Sequence, residues 1–460
     1  MTPLAIALNR FGLGYRRGDA LPSDPRAWLV RQIEAYRPSP SEVAGRAIGA
    51  KAVRRAVEAT YTFRSMRDEA EGKERSLLLK ERRKAVRASV NGDIAIRARL
   101  AFATDTPFME RMVHFWANHF AVSSDKSQVP MLLAPYEFGA VRPHVNGFFV
   151  DLLKAAALHP AMLAYLDQFR SLGPSSSAAK YRTRKRQSKR GFNENLGREI
   201  LELHTLGVDG GYSQNDVTEL ALALTGWTIE GIPYADKAVP QGRGASFFDW
   251  FHQPGQRIVL GRRYIDNGAG QAIAILEDLA RHPSTALFVA EKLARHFAGD
   301  APPKALVERL SSTFTKTDGH LPSVYLSLID SQECWEPGPV KFRQPWEWAI
   351  AMLRAGGEVS QIDGNFAGMM RALGQEVWKP RSPAGWDDRE GGWAAPSSLL
   401  RRVEAAERFA AEMRLEDTRA LAEAMFPGSL SESTMQTIRW AESNEMGFAL
   451  LLVSPEMMRR

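Results

Sequence analysis

Helical spacing of apolar residues, sustained over almost the whole chain, is the feature that most constrains the fold. Over residues 51–118, charged and apolar residues alternate with the period of an α-helix, and no proline interrupts them before Pro107. The same spacing predicts helices over 194–206, 214–226, 270–281, 284–298, 303–315, 322–331, 343–355, 397–413 and 433–452. Runs with the period of a β-strand are nearly absent. The sequence therefore predicts an all-α fold.

One short region departs from this pattern. Four aromatic residues between 247 and 251 precede a Pro254-Gly255 turn, and Arg257–Leu260 follow it. This arrangement predicts one small β-hairpin or an aromatic-rich loop over 246–260. With 460 residues, 44% of them apolar, the chain can form a large core. We expect a single helical domain over 1–460, with two lobes, 1–230 and 231–460, as the alternative.

The cysteine content and the lengths of the apolar segments exclude several classes of protein. The only cysteine is Cys334, so an intrachain disulfide is excluded and nothing points to a cysteine-based zinc site. The N-terminus lacks the basic region and long apolar stretch of a secretory signal. No apolar run approaches the roughly 18 residues that a transmembrane helix needs. We expect a cytoplasmic protein without a transmembrane segment; export together with a signal-bearing partner is the alternative.

A basic run at Lys180–Arg190 holds seven lysines or arginines in eleven residues. Because like charges at this density repel one another, we expect a mobile surface loop. Its charge favours an anionic partner, such as a polyanion, a membrane surface or an acidic protein, and a solvated loop without a partner is the alternative. Only Tyr181 and Phe192 supply aromatic rings nearby, so we expect no sequence-specific binding of nucleic acid.

The densest group of reactive side chains lies in residues 193–227. On a helix from about 195 to 205, one face carries Asn195, Arg198, Glu199 and Glu202, and the opposite face carries Ile200, Leu203 and His204. Two interpretations stay open. In the first, the polar face is solvated, Arg198 pairs with Glu202, and His204 is a core residue with one hydrogen bond. In the second, the face lines a cleft, and Glu199 and Glu202 act as an acid/base pair or bind a divalent metal.

The residues around this helix predict how it begins and ends. Gly207 is suited to a helix C-terminus, and Ser213 with Asp216 forms a capping-box pattern for the next helix. The string resembles part of a calcium loop but lacks the first carboxylates, so we expect a structural helix–turn–helix. Elsewhere, His159 and His282 each precede a proline, which predicts a histidine at a helix N-terminus.

A second polar cluster lies in the segment 109–120. Glu110, Arg111, His114 and Asn118 share one helical face, and His119 lies near the expected helix end. The aromatic residues between them are typical of a buried helix. The two histidines are therefore either structural residues of the core or ligands of a site.

Several of these segments resemble the bacterial family catalogued as "domain of unknown function 1800". The similar segments are HFWANHF (114–120), residues 193–227, GQRIVLG (255–261), RHPSTALFVAEKLARHF (281–297), KFRQPWEW (341–348) and PAGWDD (383–388). The resemblance runs from about residue 5 to the C-terminus and implies a mostly helical single domain. It also implies an association with the family "domain of unknown function 1501", whose members look exported and related to sulfatases and phosphatases.

Carried over by position, the family's polar signature marks candidate site residues. They are Asn118, His119, Asn193, Glu194, Asn195, Arg198, Glu199, Glu202, His204, Asp216, Trp227, His252, Lys341 and Trp386. Solvated residues have little reason to belong to such a signature. An active site and a buried architectural network, satisfied mainly by Arg198, remain the two explanations.

The leading hypothesis is a hydrolase or metal-assisted enzyme whose site lies on the 109–119 and 194–205 helices. Its catalytic residues are Glu199, Glu202, His119 and His204, with a divalent metal as the cofactor that such groups would bind. Its substrate-binding residues are Asn118, Asn193, Asn195, Arg198, His252 and Lys341. The alternative is a non-catalytic helical scaffold, or an accessory partner of an exported sulfatase- or phosphatase-like protein of the "domain of unknown function 1501" family.

Overall fold

The structure, a computed structural model, describes residues 1–44, 48–185, 191–357 and 360–460, and most of them lie in helices. In the first half the α-helices are Pro3–Ile6, Pro25–Ala35, Ser41–Ala44, Ala50–Glu69, Gly72–Ala103, Pro107–His119, Leu133–Tyr136, Phe149–Ala157, Pro160–Tyr165, Ser177–Arg184, Asn195–Glu199 and Gln214–Leu224. In the second half they are Ala269–Arg281, Pro283–Ala298, Lys304–Lys316, Leu321–Asp330, Pro345–Gly356, Ser360–Ala372, Pro396–Ala411, Thr418–Met425, Glu432–Arg439, Asn444–Leu452 and Pro455–Met458. The predicted mainly helical fold is confirmed.

Three helical segments are wound more loosely, as π-helices: Ala7–Phe11, Glu137–Val141 and Ile200–His204. The last continues directly from Asn195–Glu199, so the helix predicted from about 195 to 205 is present but widens in its second half. Such widened turns occur often at functional sites. Short 3₁₀ turns lie at Pro130–Leu132, Arg142–His144, Gln168–Arg170, Pro233–Ala235, Asp249–Phe251, Gln332–Trp335 and Glu390–Gly392.

The strands form two small antiparallel sheets. One has the order Trp227–Ile229, Ala245–Phe247, Val239–Gly242, and the other is a hairpin of Arg257–Val259 with Arg262–Tyr264. The small hairpin is confirmed, but its predicted turn was wrong. The chain reverses at Leu260-Gly261, where both residues have positive φ, rather than at Pro254-Gly255. Of the aromatic residues before that proline, Phe247 ends a strand of the other sheet, and Trp250 and Phe251 lie in a 3₁₀ turn.

Capping side chains explain where several helices begin. His159 and His282 each accept a hydrogen bond from the backbone N–H two residues ahead, which confirms them as N-terminal caps. Ser213 and Asp216 form the predicted capping box. One predicted boundary was wrong, because the helix expected over 433–452 is two helices. Ser443 caps a new helix by accepting from the N–H of Met446, which breaks the segment.

The basic run is partly helical. Residues 180–184 belong to the Ser177–Arg184 helix, so the predicted loop was wrong there, and 186–190 lie outside the described residues. Two features of the preceding segment explain the helix. Ser176 caps it by accepting from the N–H of Ala179, and Ala178 packs in a small cluster with Leu172 and Phe251. The Gly-Pro-Ser-rich segment therefore has a core to pack on after all.

The buried apolar side chains form two large clusters. The first draws its members from residues 6–335, and the second from 342–458 together with Leu13 and part of the Gly72–Ala103 helix. The seam between them runs along the Pro107–His119 helix and the start of Pro345–Gly356. None of the helices described is long and apolar enough to cross a lipid bilayer.

Candidate functional site

A pocket of about 510 Å³ opens at this seam. Its walls come from the Pro107–His119 helix, the Pro283–Ala298 helix, the first turn of Pro345–Gly356 and the segment 375–389. Pockets of this size hold ligands of a few hundred daltons. The lining mixes indole rings, charged groups and three histidines, His114, His119 and His296.

A buried ion cluster lies beneath the pocket. Arg111 and Arg460 both pair with the carboxylate of Glu347, the latter at 3.0 Å between Nη2 and Oε1. Burial opposes ionisation of Glu347, but the charges of Arg460 and Arg111 hold its pKa well below the ordinary value. Arg111 also donates to the carbonyl of Gly12 at 2.6 Å. These groups satisfy one another, so the cluster is a rigid base of the pocket.

His119 is one of the predicted site residues that line this pocket. It is the last residue of its helix, and its Nε2–H donates to the carbonyl of His204 at 3.1 Å. Its Nδ1 is buried and has no hydrogen-bond partner among the described residues. Burial, aided by the charge of Lys292, holds the pKa of His119 well below its ordinary value. The ring is therefore neutral, and Nδ1 is its unprotonated nitrogen.

Lys292 supplies a cation beside this histidine. Its Nζ lies 5.5 Å from the ring centroid of Phe288, and that ring centroid is 6.1 Å from the centroid of His119. No carboxylate of the described residues lies within ion-pair distance of this ammonium group. Burial and the charge of Arg295 lower the pKa of Lys292 to about 8, although Asp388 opposes the shift. The pocket thus holds an unpaired, partly desolvated ammonium group.

The opposite wall contains a strained tryptophan. Trp378 has φ of +55°, in the left-handed region that a bulky residue rarely occupies. Its indole N–H donates to Oε2 of the buried Glu137 at 2.6 Å, and its carbonyl accepts from the N–H of Ser124 at 2.9 Å. Glu137 begins one of the π-helices and also pairs with Arg97 at 2.6 Å. Strain that is held by surrounding contacts is characteristic of functional sites.

Asn118 holds the segment 384–387, which lines the pocket and is called its lip below. Its Nδ2 donates to the carbonyl of Trp386 at 2.9 Å, and its Oδ1 accepts from the N–H of Trp386 at 2.7 Å. The preceding Gly385 has φ of +84°, and a Cβ there would overlap the carbonyl oxygen of Asn118. Asn118 was predicted to bind substrate directly. It lines the pocket, but its amide is used on the main chain of Trp386.

The predicted pair Glu199 and Glu202 lies outside the pocket lining. Both are partly exposed, and Arg198 joins Glu202 at 3.3 Å between Nη1 and Oε1. Arg198 also donates to Gln214 at 2.7 Å, and Asn195 is exposed. Burial and the charge of Glu202 raise the pKa of Glu199. The structure therefore brings these residues together on a surface face, whereas His119 lies in the pocket.

The remaining predicted residues have local partners. Asn193 donates to the carbonyl of Leu166 at 2.6 Å. His252 is buried with its Nδ1 2.7 Å from the carbonyl of Thr225, and buried Lys341 pairs with Asp300 at 2.7 Å. None of the three lines the pocket. Within the described part of the chain, no three His, Cys, Asp or Glu side chains are placed to hold a metal ion.

His204 is a core residue, as one of the two interpretations held, but its predicted hydrogen bond was wrong. Its side chain is fully buried, and neither ring nitrogen has a partner among the described residues. Burial, with a contribution from Lys292, lowers its pKa to about 3. It touches the site through its backbone carbonyl, which orients His119.

Two pocket residues escaped sequence reasoning. Lys292 lies in a segment that was used only as part of a family resemblance, yet Phe288, Lys292 and His296 recur every fourth residue on one face of a helix. That spacing is the signal that could have found the lysine. Trp378 carries no comparable signal, because its importance comes from its backbone conformation and from Glu137, 241 residues away.

The comparisons with known proteins agree with the family resemblance. Residues 6–459 match the family model described as "Protein of unknown function (DUF1800)". No curated protein and no solved structure matches the chain.

Proposed function

The chain belongs to the DUF1800 family of proteins of unknown function, and we propose that it is a hydrolase that cleaves an ester of a small anionic molecule in the pocket. One observation carries the proposal: the buried Nδ1 of His119, in the pocket lining, has no hydrogen-bond partner in the part of the chain that the structure describes, while Nε2 donates to the carbonyl of His204. A histidine whose tautomer is fixed through one nitrogen and whose other nitrogen is unprotonated is equipped to act as a general base.

The proposed reaction requires that the pocket admit a water molecule to the enclosed Nδ1 of His119. Nδ1 then takes a proton from this water as the water oxygen attacks the ester. The bond to the leaving oxygen then breaks, and the proton passes from His119 to that oxygen. Lys292 attracts the anionic group of the substrate, because its ammonium group has no carboxylate within ion-pair distance among the described residues and lies in a partly desolvated pocket. His119 and Asn118 thus keep a place in the site predicted from the sequence, the first as base and the second as a positioning residue. The assignment of Glu199 and Glu202 as base or metal ligands stays a prediction.

The test is a panel of p-nitrophenyl acetate, phosphate and sulfate, assayed with and without added divalent metal. We expect hydrolysis of at least one substrate, and a loss of about 10²- to 10⁴-fold in kcat/KM for His119→Gln at an unchanged melting temperature. Glu202→Gln is the matched control and should keep activity, since Glu202 lies outside the pocket lining. Full activity in His119→Gln, or no cleavage of any substrate, would refute the proposal. Elemental analysis of the purified protein tests the metal-assisted version.

A second candidate is an accessory partner of a sulfatase- or phosphatase-like protein. It is supported by the surface network in which Arg198 joins Glu202, Gln214 and Glu194, and by the basic Ser177–Arg184 helix, which favours an acidic partner surface. Co-purification with a protein of the "domain of unknown function 1501" family tests it. Arg198→Glu should abolish the complex, and exchange of 180–185 for Gly/Ser should reduce its salt dependence. A complex that survives both changes would exclude this surface.

A further inference from the structure

Two half-buried tryptophans, Trp378 and Trp386, line the pocket. Each also packs against the protein, Trp378 on Phe138 with ring centroids 6.1 Å apart and Trp386 on Trp393 with centroids 5.7 Å apart. Trp378 keeps its place in spite of a left-handed backbone. Trp386 is held through its main chain by Asn118, and the part of its half-buried indole that Trp393 leaves uncovered is available to a ligand in the pocket. An indole face carries negative charge density and attracts polarised C–H groups, which one face of a sugar ring supplies.

The polar groups beside these rings suit a ring that bears hydroxyls. Asp388 lines the pocket without an ion pair or hydrogen bond to any described residue, and a carboxylate accepts strongly from hydroxyl donors. Its neighbour Asp387 uses Oδ1 on the N–H of Arg389 at 2.9 Å. A purely apolar or aromatic ligand would leave the carboxylate of Asp388 desolvated without a donor, which is costly.

One cation in the pocket is available to pair with a negative group on the same ligand. Arg97 and Arg111 are neutralised by Glu137 and Glu347. Lys292 has no carboxylate within ion-pair distance among the described residues, although the charge of Asp388 acts on it, and it lies beside Phe288 and His119 in the pocket lining. A carboxylate bound there would gain a charge-assisted hydrogen bond.

We infer that the pocket binds a sugar acid, with the ring stacked on Trp386, hydroxyls donating to Asp388 and the carboxylate paired with Lys292. This inference rests on the pocket of the proposed function and names its substrate class. It makes a separate claim, however, because binding does not require turnover. A sugar acid that binds without being released from any ester would leave the inference standing and remove the hydrolase.

The experiment is isothermal titration calorimetry of the full chain with glucuronate, glucose and benzoate. We expect measurable binding of glucuronate, at least tenfold weaker binding of glucose, and no binding of benzoate. Lys292→Gln should remove the preference for glucuronate over glucose. Trp386→Ala should weaken glucuronate binding at least tenfold, and it keeps the two hydrogen bonds from Asn118 because these use main-chain atoms.

Trp440→Ala is the matched control, since Trp440 is 76% exposed and is not among the residues that line the pocket. It should leave glucuronate binding unchanged. Binding of benzoate in preference to glucuronate would overturn the inference, as would equal binding of glucose and glucuronate. Unchanged glucuronate affinity in a folded Trp386→Ala protein, judged by its circular dichroism, would overturn it as well.

Discussion

The side-chain amide of Asn118 makes two hydrogen bonds with the main chain of Trp386. Its Nδ2 donates to the carbonyl at 2.9 Å, and its Oδ1 accepts from the N–H at 2.7 Å. The two residues are 268 positions apart, so this contact ties the end of a core helix to the lip of the pocket. The segment around Trp386 is neither helix nor strand, so side-chain contacts hold it in place. The side chains of Gln344 and Trp393 donate to the carbonyl of Asp387, and Asn118 adds the two hydrogen bonds to Trp386. The geometry of the pocket mouth therefore depends in part on Asn118.

Loss of these two hydrogen bonds should weaken the attachment of the lip to the Pro107–His119 helix. Asn118→Ala removes two hydrogen bonds, so we expect a loss of about 1–3 kcal/mol in the free energy of unfolding, measured in urea, together with weaker ligand binding. Asn195→Ala is the control, since Asn195 is exposed and its side chain makes no hydrogen bond within the described residues. Equal stability of the two variants would contradict the role given to Asn118.

The close approach of Gly385 to the same helix gives a second test. Gly385→Ala places a Cβ on the carbonyl oxygen of Asn118 at a residue whose φ is +84°, so we expect destabilisation of more than about 1 kcal/mol. Gly391→Ala, a few residues on, meets no atom within 4 Å and should be nearly neutral. The difference in urea midpoint between the two variants measures the effect. No difference would mean that the lip moves away at little cost.

The buried ion cluster should matter for stability far more than the surface network. Glu347→Gln leaves Arg111 and Arg460 without their shared counter-charge, and we expect a loss of about 3–5 kcal/mol. Glu202→Gln breaks only the partly exposed pair with Arg198, which should cost less than about 1 kcal/mol. Thermal unfolding of both variants tests the ranking. A larger loss for Glu202→Gln would instead place the architectural network on the Asn195–His204 segment.

Buried neutral histidines should make the protein sensitive to mild acid. The pKa of His159 and of His204 falls to about 3 in the folded chain, mainly because burial disfavours the charged ring. The unfolded chain, with pKa near 6.5, therefore binds more protons between these values. The stabilising effect is complete above about pH 6.5 and declines as the pH falls, by up to about 1.4 kcal/mol per pH unit for each histidine.

Urea unfolding at pH 7.5, 6.5 and 5.5 measures this slope, above the range in which carboxylates titrate. His204→Leu removes one titrating group without removing a side-chain hydrogen bond, so it should reduce the slope by about half a proton at pH 6.5 and by nearly one proton at pH 5.5. Because the change also removes a buried unsatisfied polar group, stability at pH 7.5 should be unchanged or slightly higher. An unaltered slope would show that His204 is already protonated or solvated in the folded chain.

Local chemistry made much of the fold predictable. His282 and Ser213 mark the N-termini of helices, because the side chain of each accepts a hydrogen bond from a backbone N–H two or three residues later. Interactions over so short a distance in the chain can be predicted from the sequence. His119 could be found for a similar reason, as it lies at a predictable helix end. The helix over 180–184 was missed because its support comes from Phe251, about seventy residues later.

The chemistry of the site was harder to predict, because it depends on partners far apart in the chain. The polar face of Arg198 and Glu202 has the composition of an active site, yet its charges neutralise one another at the surface. Lys292 is the opposite case, since no pattern in the sequence reveals that its ammonium group has no carboxylate within ion-pair distance among the described residues. Only the folded arrangement separates a satisfied charge from an available one.

The position of the pocket on the seam between the two apolar clusters has a consequence for how a bound molecule would act on the whole chain. Its walls take Phe115 from one cluster and Trp346 from the other, and Arg111 and Glu347 beneath it join segments 236 residues apart. A ligand bound there contacts residues of both clusters, so its binding energy opposes their separation. Occupancy should therefore raise the melting temperature of both clusters together and turn any two-step denaturation into a single cooperative transition.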